Sequence, residues 1–181
     1  MFNLVFWRRL TVVVFFLLFG WRLWRSLSQD PHLLPSTMVG KPVPAFHLSA
    51  MNHVDQMNQQ IFKHHVSLLH VFASWCAVCQ REQVTLLSYA QQVPHVQWVG
   101  LVYRDSLSSI RPWLKQLGNP YQVVLLDPAG ELSDNMGVYG TPETFLVDSH
   151  GVIRQKWVGQ LNQARWNKEV LPMINQLEHE S

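Results

Sequence analysis

The chain has 181 residues and a formal net charge of +2, with fourteen lysines and arginines set against twelve aspartates and glutamates. Acids and bases are mixed along it, and no basic block or arginine stripe of the kind that binds nucleic acid occurs. Its only cysteines are Cys76 and Cys79, so a structural zinc site would lack two ligands, and no second Cys-x-x-Cys or His-x3-His cluster lies near to supply them.

The N-terminal residues 1–28 hold the run Leu10 to Trp21, flanked by Arg8, Arg9, Arg22 and Arg25. The strictly apolar part is short against the roughly 20 residues of a spanning helix, and it matches a signal-peptide core in length. No small-x-small cleavage site follows, because Trp21-Arg22-Leu23-Trp24-Arg25 is bulky and charged. The segment therefore reads as an uncleaved, single-pass membrane anchor. Its arginines would snorkel to the interface, with Trp7, Trp21 and Trp24 as interfacial aromatics. Arginines are equal in number on the two sides, so charge does not set the orientation. Residues 29–37, with Pro31 and Pro35, read as a linker. Residues 38–181 have the length of one domain able to bury its own core.

Within that domain, strands and helices alternate. Val66 to Ala73 is a continuous apolar run and predicts a buried strand. Ala77 to Gln92 predicts a helix. Val96 to Val102 predicts a second strand, and Ser106 to Leu117 a helix that stops before Gly118 and Pro120. Gln122–Leu126 is a short third strand. Thr144–Asp148, the turn Ser149-His150-Gly151 and Val152–Val158 form a hairpin. Asn162 to Leu177 is a closing helix, with Pro172 a blemish inside it. Short strands before Val66 are expected but have no readable pattern. The fold class is α/β, a mixed central sheet flanked by helices. Of the nine histidines, His64, His65 and His70 form the closest group and read as strand-edge or surface residues.

Cys76-Ala77-Val78-Cys79 stands between the first strand and its helix. A Cys-x-x-Cys at such a junction is a thioredoxin-type redox arrangement. Free N–H groups and the positive dipole end at the helix start favour a thiolate on Cys76. Cys79 is spaced to reach back and close a disulfide. Along the helix, Cys79, Glu82, Leu86 and Ala90 share one stripe, which Leu87 joins. Glu82 thus falls beside the second cysteine, where burial disfavours the charged carboxylate. From there it is placed to take the proton of Cys79. The alternative is a Glu82 turned to the rim, paired with Arg81 or water.

Several segments together resemble the DsbE/CcmG family of thioredoxin-like thiol:disulfide interchange proteins of cytochrome c maturation. They are Gly40-Lys41-Pro42-Val43-Pro44, Trp75-Cys76 with Cys79 and Glu82, Trp113-Leu114-Lys115, Leu117 to Tyr121, and above all Gly137-Val138-Tyr139-Gly140-Thr141-Pro142-Glu143-Thr144-Phe145-Leu146-Val147-Asp148. The resemblance implies a thioredoxin fold facing the periplasm from the bacterial inner membrane. It also implies a reductant of apocytochrome c, or of a thiol-carrying maturation partner, recharged by a membrane thiol-disulfide transporter, with no dissociable cofactor. It makes Pro142 the cis-proline facing the disulfide, and Trp75, Tyr139, Thr141 and Glu143 residues of the substrate groove. One departure stands out. The family carries Cys-Pro-x-Cys, whereas Ala77 here restores an amide donor and Val78 adds a stiff branched side chain. The alternatives are a thioredoxin-like reductase serving other extracytoplasmic disulfides, and a haem- or metal-binding chaperone using the thiols and histidines.

Overall fold

The computed structural model describes residues 3–27, 37–51 and 55–179. The chain divides into two units, Met1–Pro35 and Ser36–Ser181. The first carries helix α1, Asn3–Leu27. Between Arg9 and Arg22 lie twelve uncharged residues, about 18 Å of helix against a hydrocarbon core of about 30 Å. Among the described residues no helix is long and apolar enough to cross a membrane.

Among the described residues the second unit is built on five strands: β1 (Ser67–Phe72), β2 (Gln97–Tyr103), β3 (Val123–Asp127), β4 (Glu143–Val147) and β5 (Ile153–Val158). Their order is β3-β2-β1-β4-β5. Strands β1, β2 and β3 run parallel, while β4 is antiparallel to both β1 and β5. This is the mixed sheet expected from the sequence. Every residue of β1 is buried, because the central strand is covered on both faces, and that is why its run is apolar without alternation.

Helix α2 (Ala77–Gln92) follows β1 after a four-residue link, and α3 (Leu107–Leu117) follows β2. Both pack on one face of the sheet, with Leu68, Phe72, Leu86, Trp98, Ile110 and Leu114 in one core. The other face packs Leu69, Val71, Leu101 and Phe145 against Phe46 and Phe62 from the segment before β1, and against Leu132 of α4 (Glu131–Asn135). Among the described residues, that preceding segment forms isolated bridges, Leu48 with Met57 and Ala50 with Leu125, and a 3-10 turn at Gln59–Phe62, rather than strands. Helix α3 ends where Gly118 adopts φ 91°; a Cβ there would stand 2.5 Å from Leu87 Cδ1.

The closing helix is interrupted where Pro172 foretold. It runs as α5 (Gln163–Arg165), a π-helical turn (Trp166–Val170) and α6 (Leu171–His179). Proline lacks an N–H and its ring crowds the carbonyl four residues back. The wider turn ahead of it, closed by Leu171 N–H on Trp166 O, accommodates both defects. The same turn carries Trp166, whose ring stacks on Tyr89 at 4.3 Å.

Gly100 lies in the middle of β2, opposite His70 of β1. Strand interiors disfavour glycine unless something approaches closely. Here a Cβ would stand 2.8 Å from Phe72 Cε1 and 3.0 Å from the Tyr121 ring. Gly100→Ala is expected to push these aromatic rings apart and lower stability by about 1–3 kcal/mol. Urea unfolding of the two proteins checks it, and equal midpoints would show that the rings are not held there.

Candidate active site

Cys76 is the residue that caps α2. Its backbone is extended, and its Sγ accepts the Cys79 N–H at 3.1 Å. The two cysteines form a disulfide, with Cα atoms 5.3 Å apart. The helix start thus surrounds Cys76 Sγ with amide hydrogen and positive dipole, which favours a thiolate there once the disulfide opens. In this oxidised state neither sulfur lies open at the surface. Cys76 is 5% exposed and Cys79 1%, because Ala73, Thr141 and the helix itself close around them. Cys76 remains the more open of the two.

Two elements hold this corner. Asp105, just past β2, accepts the Ser74 N–H at 2.7 Å and the Ser74 hydroxyl at 2.6 Å. Gln80 donates to Ser74 O at 3.0 Å. The link entering Trp75-Cys76 is thereby tied to the neighbouring strand, an interaction the sequence reading did not foresee. From the other side, the Thr141 carbonyl oxygen lies 3.5 Å from Cys76 Sγ. The Thr141–Pro142 bond is cis, as the motif implied. Trp75 and Tyr139 are 58% and 67% exposed.

Behind the disulfide, Glu82 has no exposed surface. Of the two placements open from the sequence, the interior one is adopted. Glu82 Oε2 accepts the Leu161 N–H at 3.1 Å, and Oε1 lies 3.3 Å from His70 Nε2. His70 was expected at a strand edge or the surface, and that is corrected: it is buried in the central strand, with Nδ1 3.0 Å from Thr144 Oγ1. His64 and His65 are exposed. The stripe on α2 also includes Gln83 and Tyr89, which the spacing argument left out. Gln83 Oε1 accepts the Tyr121 hydroxyl at 3.4 Å, and its Nε2 donates to Gly118 O at 2.8 Å.

Glu143, which the resemblance assigns to the substrate groove, does not reach the surface. It is fully buried and pairs with Lys156 Nζ at 2.9 Å. Its other oxygen accepts the Tyr139 N–H at 2.9 Å. Lys156 also donates to Gly137 O and sits 4.2 Å above the Tyr139 ring. Residues 137–143 are therefore clamped from below by a lysine of β5 that sequence reasoning missed. A charged residue in an alternating strand reads as solvated, and nothing local reveals its partner.

The Redoxin family model matches residues 38–171. The thiol:disulfide interchange protein DsbE of Escherichia coli is 38% identical over 164 residues, which span 89% of this chain and 88% of that protein. DsbE of Vibrio cholerae is 40% identical over 153 residues, spanning 84% and 82%. DsbE of Pseudomonas fluorescens is 37% identical over 175 residues, 97% of each chain. This chain belongs to the DsbE family.

Solved structures agree on the fold of this DsbE-family chain. A secreted Mycobacterium tuberculosis disulfide oxidoreductase homologous to E. coli DsbE superposes with a TM-score of 0.59, at 14% identity over 74% of this chain and 95% of that one. StoA from Bacillus subtilis gives 0.57, at 19% identity over 70% and 96%. The DsbE-family protein is a disulfide oxidoreductase of thioredoxin-like fold, with the Cys76–Cys79 disulfide at the carboxyl end of its central strand.

The Tyr121 hydroxyl sits in the same enclosed region as Glu82. Burial, and secondarily the Glu82 charge, push its pKa well above the ordinary tyrosine value of 10.0. Below pH about 10 the phenol is neutral whether folded or unfolded. Above it the unfolded chain loses the proton first, so stability falls as pH rises towards the folded-state value. Tyr121→Phe is expected to lose less stability between pH 8 and pH 11 than the parent, by about 1 kcal/mol. Urea midpoints at the two pH values measure it, and parallel losses would show that Tyr121 ionises freely in the fold.

Proposed function

We propose that the protein is a membrane-tethered periplasmic reductant of cytochrome c biogenesis, acting on the haem-site disulfide of apocytochrome c or on a maturation partner. The observation that carries the reading is the disulfide itself. Cys76 Sγ lies against the Thr141 carbonyl at the cis-proline loop, and the enclosed Glu82 follows Cys79 by one helical turn. The close resemblance of Gly137–Asp148 to the cytochrome-maturation family supports the substrate class.

In the proposed cycle the Cys76 thiolate attacks a partner disulfide and forms a mixed disulfide. Cys79 then attacks Cys76 Sγ, and the partner leaves as a dithiol carrying two electrons. Glu82 takes the Cys79 proton. Trp75, Tyr139, Thr141 and Pro142 flank the attacking sulfur and form the groove, while Glu143 holds that loop from beneath. A membrane thiol-disulfide transporter returns the electrons. Ala77 and Val78 stand where the family has Pro-x, so the potential belongs to this chain's own donors around Cys76.

Helix α1 serves as the anchor. It contains no acidic residue, and its apolar side chains are exposed around the helix, Phe15, Phe16 and Leu17 at 64–68%. Between Arg9 and Arg22 the helix carries no charge on any side, which suits a lipid environment. Its 25 residues extend about 37 Å, and the flanking arginines reach the headgroups by snorkelling.

Cys79→Ser is expected to accumulate a mixed disulfide through Cys76, visible on a non-reducing gel with an apocytochrome peptide carrying Cys-x-x-Cys-His in its oxidised form. An adduct with Cys76→Ser and none with Cys79→Ser would reverse the order of attack. Absence of both adducts with the peptide, alongside exchange with other extracytoplasmic disulfides, would favour a different reductase. For the anchor, the full chain is expected to stay with membranes through alkaline carbonate, and removal of residues 1–28 to release it. Extraction of the full chain by carbonate would overturn the tether.

A further inference from the structure

His70 takes no part in the cycle as described, yet its position is unusual. It is 1% exposed in the central strand. Phe72 and Tyr121 rings lie near-parallel to it, at 5.9 Å and 6.0 Å. An apolar side chain would fill that slot without bringing polar atoms into the core. Nε2 and Glu82 Oε1 approach to 3.3 Å without the alignment of a hydrogen bond. A buried donor and a buried acceptor held this close, beside groups that exchange protons, mark a functional pair.

We propose that His70 is the positioning residue for Glu82, holding the resolving proton jointly with it. The inference rests on the thiol-exchange reading of Cys76–Cys79. In the resolving step the Cys79 S–H bond breaks and its sulfur bonds to Cys76 Sγ. The bond from Cys76 to the partner breaks, and the partner sulfur leaves with the electron pair as a thiolate. The proton passes to the Glu82 carboxylate and is held between Oε1 and His70 Nε2. When the disulfide is next reduced, the proton returns to the Cys79 sulfur. His70 itself touches neither sulfur in this scheme.

Thr144 makes the change of charge possible. It pairs with His70 in the β1–β4 register, and its hydroxyl lies at Nδ1. A hydroxyl donates to Nδ1 of a neutral ring and accepts from Nδ1–H of a charged one. His70 therefore keeps its partner in both states. The titratable groups around the pair are Cys79 and Tyr89 from α2 and Tyr121 from the segment before β3. Both tyrosines have their pKa raised above 10.0 by burial first and the Glu82 charge second, so they stay neutral across the working range. Lys156 and Glu143 pair with each other on the other face of the sheet.

The test follows release of a partner peptide from the Cys76 mixed disulfide, with the full chain in detergent micelles, from pH 5 to pH 9. His70→Asn is expected to slow release at pH 7 about tenfold and to move the acid limb of the profile to higher pH. In a Glu82→Gln background the same substitution is expected to add no further loss. Equal fold-losses in both backgrounds would overturn the proposal, because His70 would then act independently of Glu82. Should His70→Asn not fold, isotope-labelled histidine in the unmodified protein decides: ring nitrogen shifts of His70 should differ between the oxidised and reduced forms, and identical shifts would overturn it. If the unmodified protein forms no mixed disulfide with the peptide or with glutathione disulfide, the thiol-exchange reading fails first, and His70 is left with no proton to share.

Discussion

A carboxylate with no access to water needs donors, and the surroundings of the disulfide are arranged to supply them to Glu82. The Leu161 N–H comes from the segment between β5 and α5. The imidazole comes from the central strand. Helix α2 is therefore tied through one side chain both to the middle of the sheet and to a segment 79 residues further on. Because Cys79 precedes Glu82 by one turn on the same face, whatever holds Glu82 also places the Cys79 sulfur. The disulfide is positioned from beneath as well as by the helix start that carries it.

The opposite face of the sheet repeats the device for the loop facing Cys76. Glu143 and Lys156 meet on adjacent strands, and each also binds the backbone between Gly137 and Tyr139. A buried ion pair contributes little net stability, since desolvation offsets most of the attraction. Its effect here is geometric. Each charged group also spends a hydrogen bond on the loop backbone, which ties the loop to the sheet with the Thr141 carbonyl at the disulfide and leaves Trp75 and Tyr139 exposed. Stacked aromatics complete the frame. Phe72, Tyr121 and Trp113 pack over the site-facing side of the sheet, and Gly100 leaves them the room.

The elements that read well in the sequence are those whose signal is local. The apolar run of β1, the helix starts at Ser106 and Asn162, whose side chains accept the N–H of the third residue on, and the stop at Gly118 each act through neighbours a few residues away. Pro172 marked a defect, though not the π-helical turn that relieves it. The segment before β1 was unreadable because its pairs are isolated bridges to distant residues, such as Ala50 to Leu125. His70 read as a surface residue because histidine is intermediate in burial preference, and no pattern of its own segment reveals a carboxylate arriving from α2. Lys156 failed for the same reason.

The sequence by itself determined the redox pair, the helix start that activates it, the mixed α/β sheet and the family, because spacing and motif express chemistry that is local. It also narrowed Glu82 to two placements. Only the tertiary structure decided between them, and only it joined Glu82 to His70, Glu143 to Lys156 and Asp105 to Ser74. Each of these contacts closes between separate elements of the sheet and its helices. Hydrogen bonds and ion pairs act over about 3 Å, and the fold alone sets which distant residues come that near.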